Sequence, residues 1–177
     1  IKIIGLYEKE TKPLIYRTRN RVMTDLNVDF AGIKLKNPVF TASGTCGYAN
    51  ELDEFMNINV LGGFITKSIT VNPRKGNPVP RIAETNAGML NAIGLANVGL
   101  EQFRAEKMPL IRKLKPAVFV NVAGSTVDEY VTVTRQLSSE TAIAGFELNI
   151  SCPNVKKGGI SFGTDPELVH QITARVK

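Results

Sequence analysis

From residue 23 onward the apolar positions fall into two alternating kinds of run. Short clusters rich in β-branched and aromatic residues are separated by longer stretches with helical spacing. Leu26–Phe30 and Ile33–Leu35, joined by Ala31-Gly32, predict a small hairpin. Pro38–Ala42 predicts a short strand ending in Ser43-Gly44, and a helical segment is expected over Asn50–Met56. Phe64–Ile69 is the next predicted strand. Residues 70–96 are rich in Pro, Gly and Asn and predict a long excursion. Helices are expected over Val98–Glu106 and Pro109–Leu114, then a third strand over Ala117–Val122. Ser125 is a candidate N-cap for a helix over Val127–Leu137. Gly145–Ile150 predicts a fourth strand, and Asp165 before Pro166 marks the start of a last helix.

The order is β-α-β-α-β-α-β-α, with strands too apolar to be half exposed. Such strands belong in a parallel sheet covered by helices. An open doubly wound sheet would want G-x-G-x-x-G after the first strand. The sequence there is SGTCGYAN, whose glycines have another spacing. The expected fold is therefore α/β, a (β/α)8 TIM barrel. A barrel needs about 250 residues. Four βα units imply roughly its N-terminal half, preceded by the small N-terminal hairpin.

Charge sharpens the domain picture. The chain has 177 residues, 43% hydrophobic and 21% charged, with net charge +6. Residues 1–22 hold six Lys/Arg against Glu8 and Glu10, which is +4 of that +6. They are read as a basic N-terminal extension of unknown role, and residues 23–177 as part of a single barrel domain. The nearly neutral body argues against a nucleic-acid partner, which needs a basic stripe on a folded face. No stretch approaches the ~18 apolar residues of a membrane helix, and no signal-peptide pattern opens the chain. The expectation is a cytoplasmic protein with no membrane association. Cys46 and Cys152 lie far apart, and no Cys/His cluster has metal-ligand spacing, so no metal site is expected.

Catalytic groups of barrels cluster at the C-terminal ends of strands. Here those ends carry Ser43, Lys67-Ser68, Asn121 and Asn149, followed by Ser151-Cys152-Pro153-Asn154. A polar residue ending a buried strand is costly unless satisfied. Four in succession imply a shared polar ligand. Carboxamides donate and accept, so Asn91, Asn121, Asn149 and Asn154 suit a planar ring of alternating N–H and C=O groups, a pyrimidine or an isoalloxazine. Lys67 would hold a carboxylate or stabilise charge developing on a flavin. Cys152, just past a strand end, is a candidate reactive thiol, with Lys67, Lys156 and Lys157 able to favour its thiolate. A nucleophile would want a histidine partner. The only histidine, His170, falls on the predicted last helix, so proton abstraction fits better. Cys46 is read as packing. The glycine-rich Lys156–Gly163 reads as a flap that excludes water during reaction.

These segments carry a resemblance. LKNPVFTASGTCG, GGFITKSIT, PRIAET, GMLNAIGLAN, VNVAGS and ELNISCPNVKKGGISFG follow in order and spacing what is found in class 1 dihydroorotate dehydrogenases, over residues 24–177. GMLNAIGLAN and the KKGG insertion resemble class 1B. The resemblance implies oxidation of dihydroorotate to orotate in pyrimidine biosynthesis. Ser43, Lys67, Ser68, Asn121 and Asn149 would contact FMN. Lys67, the loop Asn91, Ala92, Ile93, Gly94 and Leu95, Asn149 and Asn154 would bind substrate. Cys152 would take the C5 proton while hydride leaves C6 for the flavin.

It further implies a partner subunit carrying FAD and a [2Fe–2S] cluster that passes electrons to NAD. Two catalytic and two electron-transfer subunits would form a heterotetramer. Two cysteines cannot hold a four-cysteine cluster, which agrees with its lying elsewhere. The family's FMN-phosphate loops would lie beyond residue 177. Three alternatives stay open: a fumarate-dependent class 1A enzyme, the pyrimidine-reducing domain of dihydropyrimidine dehydrogenase, and a non-catalytic half-barrel.

Overall fold

The computed structural model describes residues 24–52, 55–151 and 162–177. The basic extension, Cys152, Asn154 and most of the glycine-rich flap lie outside them.

Strands β1 (Val28–Phe30) and β2 (Ile33–Leu35) pair antiparallel through the two-residue turn Ala31-Gly32, as the pattern predicts. Asp29 accepts from the Gly32 N–H at 2.7 Å and pairs with Lys34, which fixes the register. Phe30 at the hairpin tip packs on Phe40 and Phe119, with ring centroids 5.7 and 5.8 Å away.

The central sheet runs β3 (Gly63–Ile65), β6 (Ala117–Val122), β7 (Ile143–Leu148), all parallel. The strand expected over Pro38–Ala42 shrinks to one parallel bridge, Phe40 to Gly63. Only glycine fits at 63, because a Cβ there would lie 2.1 Å from the Phe40 ring. Thr41 explains the loss of regular pairing. Its Oγ1 accepts from the Ile65 N–H at 2.9 Å, where a ladder would use a backbone carbonyl. The strand expected over Phe64–Ile69 is likewise cut short. Thr66 Oγ1 accepts the Asn121 N–H, and the Lys67 N–H turns away to Gly47. Pairing resumes only at Ile69, bridged to Val122. The excursion of the backbone at 66–68 throws Lys67 and Ser68 out of the ladder, as irregularities beside functional sites often do.

One face of the sheet is sealed by helices. Phe64, Val120 and Val122 are fully buried beneath Phe103, Met108, Tyr130, Val133, Leu137 and Ile172. The first helical stretch is continuous. It comprises α1 (Gly99–Gln102), a wide π turn (Phe103–Lys107) and α2 (Met108–Ile111). The break expected before Pro109 becomes that widened turn, since Pro109 has no N–H to return to the preceding turn. Helix α3 (Val127–Leu137) matches its expected span, but its N-cap is Thr126 rather than Ser125. Thr126 Oγ1 accepts from the Glu129 N–H, and the Glu129 carboxylate reaches back to the Ser125 N–H, a variant of the capping box. Helix α4 (Pro166–Val176) is capped by Asp165, as expected.

Two further expectations need correction. At 50–56 the described residues hold only a single 3-10 turn, Asn50–Leu52. The excursion at 70–96 contains a second hairpin, β4 (Ile82–Thr85) and β5 (Gly88–Asn91). Its strands are solvent exposed on both sides, so no alternation of apolar and polar residues announced them. Among the described residues no helix is long and apolar enough to cross a membrane, and no cluster of metal-ligating side chains occurs.

Candidate functional site

A cleft of about 480 Å³ opens at the C-terminal ends of the parallel strands. Four segments converge on it. Ser43 and Thr45 follow the Phe40 bridge; Lys67 and Ser68 come from the excursion after β3. Asn91, Ile93, Gly94 and Leu95 descend from the second hairpin, and Asn149 follows β7. A volume of this size suits a ring-sized ligand.

The second hairpin delivers its loop through a polar stem. Arg81 donates to the carbonyls of Asn77 (2.6 Å) and Lys75 (2.8 Å), and the Asn77 N–H donates to the Ile93 carbonyl at 3.1 Å. Below it, Arg74 and Asn97 exchange backbone hydrogen bonds of 3.0 and 2.9 Å. Leu95 is held at φ 55°, a left-handed conformation that costs about 1 kcal/mol. The loop conformation is thus set by the stem. Ala92 is the one member of Asn91–Leu95 that does not line the cleft, and its backbone is spent on Arg81 and Asn77.

Among the described residues, Lys67 carries the only charge on the cleft lining. Its ammonium has no partner among the described residues. A half-buried, unopposed cation favours an anionic ligand. The wall beneath it is a hydrogen-bonded row. Asn149 Nδ2 donates to Ser68 Oγ at 3.2 Å, and Ser68 Oγ donates to Asn121 Oδ1. Asn121 Nδ2 donates to Glu147 Oε1. Asn121 is only 2% exposed and lies inside β6, in register with Glu147. It supports the cleft from below rather than lining it. Asn149 is also held by its backbone, whose carbonyl accepts from the Tyr130 hydroxyl at 2.7 Å.

The structure therefore gathers Ser43, Lys67, Ser68, Asn91, Ile93, Gly94, Leu95 and Asn149 at one cleft, with Asn121 one layer deeper. Cys152 and Asn154 lie outside the described residues, as do residues 156–161 of the flap. His170 is exposed on α4, and Cys46 packs against the core edge, both as read from the sequence. Sequence reasoning missed Thr45, Ala96 and Glu147. An acid inside the apolar run GFELNI was the available signal for Glu147. A second cleft of about 320 Å³, between α3 and α4, has none of these carboxamides.

Tyr48 anchors the site from the helical side. It is 4% exposed, its ring meets Phe103 at 5.7 Å, and its hydroxyl lies 3.4 Å from the Ser68 carbonyl, to which it donates. Burial pushes its phenol up to about 12. The folded state therefore favours the neutral phenol. Its stabilisation is full below the ordinary value near 10 and is lost as pH rises from there through about 12. Denaturant titrations should show stability falling across pH 10–12. Tyr48→Phe should flatten that fall, at a cost of about 1 kcal/mol near neutrality.

A family model described as dihydroorotate dehydrogenase matches residues 25–177. The chain is 50% identical over 153 residues to dihydroorotate dehydrogenase B (NAD(+)), catalytic subunit, of Geotalea uraniireducens, covering 86% of this chain and 50% of that protein. It is 51% identical over 150 residues to the same-named protein of Pelobacter propionicus, covering 85% and 49%. For that of Listeria welshimeri the identity is 48% over 155 residues, covering 88% and 51%. The chain spans about half the length of the curated relatives it matches.

Proposed function

The chain belongs to the dihydroorotate dehydrogenase family, and on that premise we propose that its protein is the catalytic subunit of an NAD-linked dihydroorotate dehydrogenase. The reaction is oxidation of dihydroorotate to orotate in pyrimidine biosynthesis. The observation that carries this reading is the cleft that brings Lys67, Ser68, Asn91 and Asn149 together at the strand ends. Relatives named as NAD(+)-type catalytic subunits support the class 1B assignment over class 1A.

The architecture proposed is a (β/α)8 barrel, with the Phe40 segment, β3, β6 and β7 as its first four strands. The inner sheet face supports it. Phe40, Ile65 and Phe119 line a mostly apolar hollow of about 410 Å³ with Phe30, Phe146 and Glu147, and are incompletely covered. Further strands of a barrel would close that face.

The donor set fits FMN. Hydroxyls at Ser43 and Ser68 and the carboxamide of Asn149 match the edge of an isoalloxazine ring, with Asn121 holding them in place. Bound FMN would supply a two-electron acceptor for the hydride from substrate C6. Lys67 then neutralises the substrate carboxylate or charge arising on the ring. Asn91, Ile93–Leu95, Asn149 and Asn154 hold and cover the pyrimidine ring, excluding water. Cys152 removes the C5 proton. It follows directly on Ser151, whose hydroxyl donates to Asn149 Oδ1 at 3.0 Å. The partner proposed is an electron-transfer subunit with FAD and a [2Fe–2S] cluster, in a heterotetramer of two plus two. The location proposed is the cytoplasm.

The test is anaerobic addition of dihydroorotate to the purified full-length protein. The visible flavin band should bleach, and NAD+ should be reduced only when the partner is present. Turnover with fumarate by the catalytic subunit alone would overturn the NAD-linked assignment.

A further inference from the structure

We infer that Glu147 is a positioning residue that sets the hydrogen-bond direction of the cleft wall, so that Asn149 offers its carbonyl oxygen to a ligand N–H. The inference rests on the proposed binding of a pyrimidine ring at Asn149. Each of Asn121, Ser68 and Asn149 can both donate and accept, so nothing in those three groups alone selects a direction. A carboxylate only accepts. Glu147 Oε1 therefore takes an N–H from Asn121 Nδ2, and the planar amide turns Oδ1 of Asn121 the other way. That oxygen needs a donor, and Ser68 Oγ supplies it. A hydroxyl has one proton. Having given it to Asn121, Ser68 can only accept from Asn149, and it does so from Nδ2 at 3.2 Å.

Asn149 is thereby fixed with Nδ2 inward and Oδ1 outward. Oδ1 accepts one bond from Ser151 Oγ at 3.0 Å and keeps a second lone pair. In the middle of the row Asn121 and Ser68 are 2% and 6% exposed, so water has little access to satisfy a reversed arrangement there. The device is built into the sheet: Asn121 and Glu147 are register partners on β6 and β7. Glutamine at 147 could face Asn121 with either end, and both directions of the row would then be populated.

The experiment compares the full-length protein with its Glu147→Gln variant. Affinities for orotate, 1-methylorotate and 3-methylorotate are measured by calorimetry, with thermal unfolding as a control. The wild type should reject the analogue lacking the N–H that Asn149 reads. Glu147→Gln should narrow that preference about tenfold, the worth of one hydrogen bond to a ligand. Equal weakening toward all three compounds, or an unchanged preference, would overturn the inference. A second measurement needs no variant. NMR should detect a scalar coupling across the hydrogen bond from Asn121 Nδ2 to the Glu147 carboxylate, and its absence would also overturn the inference. If the wild type binds none of the three compounds, the proposed function fails, and the coupling alone decides the direction of the row.

Discussion

Replacing the proposed base, Cys152, with serine should slow flavin reduction by dihydroorotate about 100-fold while leaving FMN and orotate bound. The size follows from general-base catalysis, which contributes about 10²–10⁴. The proposed step needs a thiolate, and a cysteine thiol, with a reference value of ~8.5, ionises far more readily in general than an alkyl hydroxyl. Rapid-mixing measurement of flavin bleaching under anaerobic conditions reads the effect. A variant that reduces its flavin at the wild-type rate would remove Cys152 as the base.

Lys67→Met is the second large effect. Methionine keeps much of the stem's volume and removes the one charge that the described residues place on the cleft lining. Loss of a positioned electrostatic group commonly costs 10²–10³ in rate. Flavin reduction by dihydroorotate should fall by about that factor, and orotate affinity should fall with it. Stability should hold, because the Lys67 ammonium has no protein partner among the described residues and its backbone N–H bond to Gly47 is retained. Parallel thermal unfolding and orotate titration separate the two. Full activity in a variant with bound flavin would show that the charge serves neither substrate nor flavin.

Much of this was legible in the sequence because burial writes a strong pattern. The runs at Ala117–Val122 and Val127–Leu137 lie where periodicity placed them, since each buries one continuous apolar set. The strand ends at Lys67-Ser68 and Asn149 were legible because polar residues there interrupt apolar runs. What escaped notice was held by side chains acting as backbone. Thr41 and Thr66 take ladder positions with their hydroxyls, and a β-branched residue in a β-rich run gives no sign of that. The hairpin Ile82–Asn91 escaped for the opposite reason. Its strand residues are exposed, and its ladder is continued at the base by Arg81 and Ala92 rather than by apolar pairs. Asn121 was recognised by type but not by depth, because its partner Glu147 lies on the next strand, 26 residues along the chain.

Tyr130 bears on the segment that carries the proposed base. Its hydroxyl holds the Asn149 carbonyl, and its ring meets Phe162 edge-on at 5.8 Å. Beside it the Gly163 N–H donates to the Ile150 carbonyl at 2.9 Å. Ile150 and Gly163, which flank residues 151–162, are therefore fastened to each other. The entropy of closing a loop grows only logarithmically with its length, about 0.6 kcal/mol per doubling. With Ile150 and Gly163 joined, doubling the number of residues between them should cost folding only about that much. The sequence around the proposed base can thus vary in length at little cost to stability.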